Sequence, residues 1–67
     1  MQIDADKIRL IVAKQGSSLS ELARISGVSR QTVSTTMTRG TCRPETAIKL
    51  SEALGIEPES ILRSANP

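Results

Sequence analysis

Gly27 lies between two stretches with helical spacing, and this arrangement limits the possible folds more than any other feature of the sequence. Before it, an apolar face at helical spacing runs from Leu19 to Ala23. After it, Ser29 can cap a new helix in which Val33 and Met37 stand four residues apart on the inner face. Glycine takes the left-handed conformation at little cost, so it can end one helix and turn the chain into the next. The segment therefore predicts two short helices that cross at a steep angle.

The rest of the chain repeats this pattern of caps, apolar stripes and glycine stops. Asp4 suits the cap of a first helix and Pro44 suits the first position of a fourth. A short fifth helix is predicted to open at Glu57-Pro58. Strand signals are absent from the sequence. We therefore predict an all-α fold of five short helices, with a helix-turn-helix over about residues 18–38 in helices 2 and 3.

Length and composition limit the kind of site that the chain can build. It has 67 residues and no Phe, Tyr or Trp, so one small domain over residues 1–67 with an aliphatic core is predicted, its tail at 64–67 frayed. Enclosing a pocket of roughly 300–1,000 Å³ is difficult at this size, so neither a cofactor nor a small-molecule ligand is expected. With no His and the single Cys42, we expect no metal site and a reduced, cytoplasmic setting. No long apolar run or basic leader predicts a membrane span or a signal peptide.

Charges are unevenly distributed along the chain, although the formal net charge is only +2. No acidic residue occurs between Glu21 and Glu45. Four arginines fall inside that interval: Arg24, Arg30, Arg39 and Arg43. A basic middle flanked by acidic ends fits a surface that binds phosphates on one side. An ordinary solvated surface can show the same pattern, so charge alone leaves both interpretations open.

The outward face of the third helix carries the candidate base-reading residues. An arginine can bond O6 and N7 of guanine together, and a glutamine can do the same with N6 and N7 of adenine. The amino-terminal end of such a helix normally lies deepest in the major groove, so Arg30 and Gln31 are the first candidates. Ser34 and Thr35, one turn later, can bond bases or phosphates. A solvated helix face is the competing interpretation for all four.

Together these motifs resemble the Cro/repressor-type helix-turn-helix family, also called the XRE family, whose members include small lambdoid-phage regulators. The likeness runs from Ile8 to Leu62. It rests on Ser18…Glu21-Leu-Ala, Gly27-Val-Ser…Thr32-Val-Ser, Arg39-Gly40 and Ala53-Leu-Gly-Ile56. The resemblance implies a compact lambda-repressor-like domain that binds double-stranded DNA with its third helix in the major groove. Contacts to DNA phosphates are then expected at the starts of helices 2 and 3 and around the loop after helix 3: Ser18, Ser29, Thr38, Arg39, Thr41 and Arg43.

The sequence departs from the family pattern in three places. Leu19 stands where the family often has a Gln that contacts the DNA backbone, so that contact is not carried over. Val12 and Met37 stand where many members pair an Arg with a Glu. Replacing both partners by apolar groups can be neutral, and the double change predicts that helices 1 and 3 still touch there. Residues 29–40 are also about one residue longer than the common pattern, which can change how the loop presents Arg39.

The function predicted from these features is sequence-specific regulation of transcription, as a repressor that binds a palindromic operator as a homodimer. A single module reads few base pairs, and two copies on a two-fold axis double the readout. The self-contact is expected around the fifth helix: Ile56, Pro58, Ile61 and Leu62. An activator or controller protein, and an antitoxin or adaptor that binds protein, remain alternatives on the same fold. An enzyme is not expected, because the sequence has no phosphate loop and no nucleophile beside a base.

Overall fold

A computed structural model describes residues 1–63, so the predicted frayed tail lies outside the described residues. Four α-helices are followed by one short 3₁₀ helix: α1 Ala5–Lys14, α2 Leu19–Ser26, α3 Arg30–Arg39, α4 Pro44–Leu54 and the 3₁₀ turn Pro58–Ile61. The predicted fifth helix is therefore corrected to a single 3₁₀ turn. Only four residues lie between Glu57 and Leu62, both of which are extended, and four are too few for more than one turn. None of the helices within this range is long and apolar enough to cross a membrane.

Side-chain caps begin the first three helices, as the sequence predicts. The side-chain oxygens of Asp4, Ser18 and Ser29 each accept a hydrogen bond from the backbone amide three residues later, at 3.1 to 3.2 Å. Helix α4 begins instead with Pro44 in its first turn and has no side-chain cap bond. Gly27 ends α2 with a φ of 76°, in the left-handed region where any side chain would be strained. The local signals in the sequence thus set the helix boundaries.

The core lies between the helices and consists mainly of aliphatic side chains and Met37; the polar side chains of Thr36 and Ser51 are also buried. Helix α2 packs against α3 and α4, and α4 packs against the 3₁₀ turn. Helix α1 contacts α3, as the sequence predicts, and Val12 and Met37 both belong to the buried apolar cluster. The buried apolar residues come from all five elements and from the N-terminus: Ile3, Ile8, Val12, Leu22, Ala23, Val33, Met37, Ala47, Leu50, Leu54 and Ile61.

The N-terminal segment before α1 is an unexpected part of this core. Ile3 is only 2% exposed. The amide of Ile3 donates to the carbonyl of Gly40 at 2.9 Å, and the amide of Asp4 donates to the carbonyl of Ile61 at 2.8 Å. Residues 2 and 3 also form isolated antiparallel bridges, one to the loop after α3 and one just after the 3₁₀ turn. Residues 1–4, which we call the N-terminal clamp, therefore hold these two distant segments together.

The residues predicted to form a dimer interface differ in exposure. Ile61 is fully buried inside the chain itself, with no exposed surface. It is therefore a core residue and offers nothing to a partner, which corrects its assignment to an interface. Ile56, Pro58 and Leu62 are half-buried and keep part of their surface accessible.

Replacing Ile3 with Ala is expected to destabilise the domain by about 2–5 kcal/mol, because the truncation leaves a cavity beneath the clamp. The matched control is Met1→Ala in the same segment. The Met1 side chain is 51% exposed. Its truncation should change stability by about 0.5 kcal/mol or less. Urea unfolding followed by circular dichroism measures both variants, and equally small effects would show that the clamp is not part of the cooperative fold.

Candidate nucleic-acid interface

Helix α3 divides into a buried face and an exposed face. Val33, Thr36 and Met37 are buried against the core. The opposite side consists of exposed polar residues at spacings of one, three and four, which places them on one stripe. We call this stripe the recognition face: Arg30, Gln31, Ser34, Thr35 and Thr38. All four residues predicted to read bases therefore lie together on one accessible surface.

Both ends of α3 are held by the surrounding chain. At its start, Gly27 turns the chain, half-buried Val28 packs against the core, and the amide of Val28 donates to Oγ of Ser26 at 3.2 Å. At its end, Gly40 caps the helix in a left-handed conformation and its carbonyl accepts the bond from Ile3. The orientation of the recognition face is thus set by contacts on both sides.

The two serine caps, both predicted to contact phosphates, differ in what their hydroxyl groups can still donate. Ser29 donates its hydroxyl proton to Oγ1 of Thr32 at 2.7 Å while it accepts from the amide of Thr32. Ser18 accepts from the amide of Glu21, and within residues 1–63 its hydroxyl donates to no protein group. Because the Ser29 hydroxyl already donates to Thr32, the hydroxyl at the start of α3 that can still donate to a phosphate is that of exposed Thr32. Sequence analysis did not identify Thr32 as a candidate contact. The Ser-x-x-Thr spacing of cap and third helical residue is the signal that could have identified it.

The remaining predicted phosphate contacts follow one another from the last turn of α3 to the start of α4. All four are exposed: Thr38, Arg39, Thr41 and Arg43. The loop that carries them is tied to the N-terminal clamp, because the amide of Cys42 donates to the carbonyl of Met1 at 3.0 Å. Cys42 is half-buried, and burial raises the pKa of its thiol, so it stays protonated at neutral pH. The thiol is therefore not a reactive group of this site.

Arg24 is occupied by a neighbour on its own helix. Its guanidinium donates to both carboxylate oxygens of Glu21, one turn earlier. This hydrogen bond lowers the pKa of Glu21 and raises the pKa of Arg24. The spacing of Ser18 and Glu21 is that of a capping box, in which the Glu carboxylate would also accept from the Ser18 amide. Within residues 1–63 this second bond is absent, and only the bond from the Glu21 amide to Ser18 forms. Arg24 is correspondingly less available to DNA than Arg39 and Arg43.

An open cleft of about 540 Å³ adjoins the C-terminal end of α3. Three arginines from distant parts of the chain line it: Arg9 of α1, Arg39 of α3 and Arg63 after the 3₁₀ turn. We call it the arginine cleft. Asp4 and Asp6 also line it. No sequence signal predicts this grouping, because the N-terminal clamp creates it. Within residues 1–63 no three side chains of the kinds that ligate metals come together.

A family model for winged helix-turn-helix DNA-binding domains matches residues 3–64. The chain belongs to this winged helix-turn-helix family. The match confirms the predicted helix-turn-helix. Because the family is one of DNA-binding domains, it also confirms DNA as the class of partner. In residues 1–63, the β-contacts of this winged helix-turn-helix domain are two isolated bridges, so the range contains no β-hairpin wing.

Two solved structures have the same fold as this winged helix-turn-helix domain. Their titles are "Native PhpD with Cadmium Atoms" and "Phpd with cadmium complexed with hydroethylphosphonate (HEP)". Each is 22% identical and superimposes with a TM-score of 0.82 over 100% of this chain and 15% of the other. The chain thus spans about 15% of the length of these solved chains, and at this identity the likeness concerns the fold alone. Comparison with curated protein sequences gives no significant match.

Replacing Arg24 with Gln is expected to return the pKa of Glu21 toward its ordinary value, because the guanidinium no longer stabilises the carboxylate. A lowered folded-state pKa means that the pair contributes to stability at neutral pH and loses this contribution as the pH falls through that pKa. NMR titration of the Glu21 carboxyl carbon measures the shift. Arg9→Gln, on another helix, is the matched control and should leave the Glu21 titration unchanged. Identical Glu21 titrations in the native protein and Arg24→Gln would show that the pair does not form in solution.

Proposed function

We propose that this protein is a sequence-specific regulator of transcription that binds double-stranded DNA with α3 in the major groove. The recognition face carries the proposal. Its polar side chains contribute nothing to the core, yet they stand on a helix whose two ends are fixed by the turn at Gly27 and by the clamp at Gly40. A helix held in this way is oriented before a ligand arrives, which lowers the entropy lost on binding.

Arg30 and Gln31 occupy the first two positions of α3, the end that normally reaches deepest into the groove. Their side chains match the paired acceptor and donor groups of guanine and adenine. Ser34 and Thr35 follow one turn later, within reach of further base edges or of phosphates. The amides that begin α2, beside Ser18, favour an anion and would hold one DNA strand. Arg39 at the end of α3 and Arg43 in the loop after it would hold the other.

We further propose that the protein is a repressor of the Cro/repressor type that binds a palindromic operator as a homodimer. One recognition helix distinguishes few base pairs, so two symmetric copies are needed to single out a site in a genome. The partly accessible apolar surface around Ile56, Pro58 and Leu62 is the proposed contact between copies. A bound dimer would exclude other proteins from the promoter. The proposal includes cytoplasmic action, no enzymatic activity and no small-molecule ligand.

Selection of bound duplexes from a random pool tests the proposed function directly. The expected result is a palindromic site with half-sites about 34 Å apart, or one helical turn. Binding should weaken steeply with salt, with log K falling by about 0.9 for each phosphate neutralised. A reporter gene under the selected site then separates repression from activation. Failure to enrich any sequence, together with salt-insensitive binding to a protein, would favour the adaptor or antitoxin alternative.

Arg30→Ala is expected to weaken binding to the selected operator by about 1–3 kcal/mol and to relax the preference at one base pair. The reason is that the guanidinium is proposed to bond a single base. Fluorescence anisotropy with the operator and its single-base variants measures both effects. Lys14→Ala removes an exposed cation from the last turn of α1 and is the control. If Arg30→Ala weakened binding to every sequence equally, Arg30 would contact a phosphate and not a base.

Leu62→Asp is expected to weaken self-association, because it places a charge on the partly accessible apolar surface, while helical content stays largely intact. Light scattering and circular dichroism measure the two properties. Ile61→Ala is the companion variant, since it empties the core beneath the same surface and should lower stability by about 2–5 kcal/mol. A dimer that persisted in Leu62→Asp would place the interface elsewhere on the protein.

A further inference from the structure

We propose that the arginine cleft binds a phosphate of the DNA backbone beside the recognition face, so that α1 and the segment after the 3₁₀ turn also contact DNA. The inference rests on the proposed function and adds two residues, Arg9 and Arg63, to the phosphate contacts. Arg39 was already a candidate from the sequence. The three arginines come from separate segments that only the folded chain brings together.

The cleft is continuous with the recognition face. Thr38 belongs to both, because it is exposed on the stripe and lines the cleft. Arg39 lies four residues after Thr35, hence on the next turn of the same side of α3. A helix in the major groove lies between the two phosphate backbones that border the groove. A cleft at the end of that helix is therefore close to the path of one backbone.

Two of the three guanidinium groups have no acidic partner in the described part of the chain. Within residues 1–63, no carboxylate lies within 4.0 Å of Arg39 or Arg63. Arg9 pairs with Asp6, but at 3.8 Å and with the Asp6 side chain 97% exposed, so the pair is weak. The other carboxylate in the cleft, that of Asp4, already caps α1. Guanidinium groups that lack a partner suit phosphate oxygens, which they can bond in pairs.

The backbone that carries these arginines is fixed before any ligand binds. The carbonyl of Gly40, next to Arg39, accepts from the amide of Ile3, and the amide of Arg63 donates to the carbonyl of Gln2 at 3.1 Å. The segments that carry Arg39 and Arg63 are thus both bonded to the N-terminal clamp. Helix α1, which carries Arg9, begins immediately after the clamp at Ala5. The cleft is also open to solvent. Small-molecule sites usually bury most of the ligand, whereas a phosphate within a polymer must enter from the side. An open basic cleft therefore fits a backbone phosphate better than an enclosed small ligand.

The test compares Arg9→Gln and Arg63→Gln with Lys14→Gln, which removes the same charge from an exposed position at the end of α1 that does not line the cleft. A mixed-sequence duplex is sufficient, because phosphate contacts do not depend on base sequence. Anisotropy titrations at several salt concentrations give the slope of log K against log salt. Because the cleft is proposed to hold one phosphate, each cleft variant should make this slope shallower by up to about 0.9, and Lys14→Gln should leave it unchanged. Circular dichroism verifies that the variants stay folded.

A variant that is expected to raise the affinity for DNA provides a control, because a damaged fold could only lower it. Asp6→Asn removes the carboxylate that competes for Arg9 and should strengthen binding to the duplex, a gain that misfolding cannot produce. Titration of inorganic phosphate without DNA, followed by NMR shifts at Arg39 and Gly40, tests for a free anion. Tight phosphate binding, with unchanged duplex affinity in both cleft variants, would assign the cleft to a free anion and overturn the proposal.

The two proposals fail in different ways. If the native protein binds no duplex in a salt-dependent manner, the proposed function is wrong. If the native protein binds duplex DNA and Arg30→Ala changes base preference, but both cleft variants keep the native salt slope, only the assignment of the cleft is wrong. Shallower slopes in Arg9→Gln and Arg63→Gln, together with the gain in Asp6→Asn, would establish the wider DNA contact.

Discussion

Burial of Val33 and Met37 against the aliphatic core determines which side of α3 faces solvent. Both side chains are at most 5% exposed, and they stand one turn apart on the inner face of the helix. A rotation of α3 that moved them out would also turn Arg30 and Gln31 away from a ligand. Because the chain has no aromatic residue, few large side chains are available to compensate for a gap in this core. The position of the recognition face thus depends on a small number of aliphatic contacts.

Local features of the fold could be predicted from the sequence, because each depends on residues close together in the chain. The caps at Asp4, Ser18 and Ser29 and the left-handed turn at Gly27 are set by hydrogen bonds and φ angles over three or four residues. The exposed face of α3 follows from the same periodicity. The prediction of Ile61 as an interface residue was wrong, because its burial depends on packing against α4 and α1, which the local pattern does not report.

The features that sequence reasoning missed all require contacts between distant residues or a choice between partners. The N-terminal clamp joins residues that are about 40 to 60 positions apart, through single bridges too short to leave an alternating pattern. Glu21 has two possible partners, the Ser18 amide and Arg24, and the sequence motif alone does not decide between them. The arginine cleft combines both difficulties, since its members come from three elements and their pairing depends on the folded geometry.

In the proposed complex with DNA, the clamp connects stability to DNA binding. Ile3 is buried, yet its amide holds Gly40, which sets the end of the recognition helix and the start of the loop with Thr41 and Arg43. A small domain has modest stability, and a ligand that binds only the folded state adds to it. Loosening the clamp would therefore disperse the proposed phosphate contacts while leaving Arg30 and its helix chemically intact. Such a change would lower the affinity for all DNA sequences equally. Loss of a base-reading side chain would instead lower the affinity mainly for the operator. Comparing the two affinities therefore distinguishes a misplaced helix from a lost base contact.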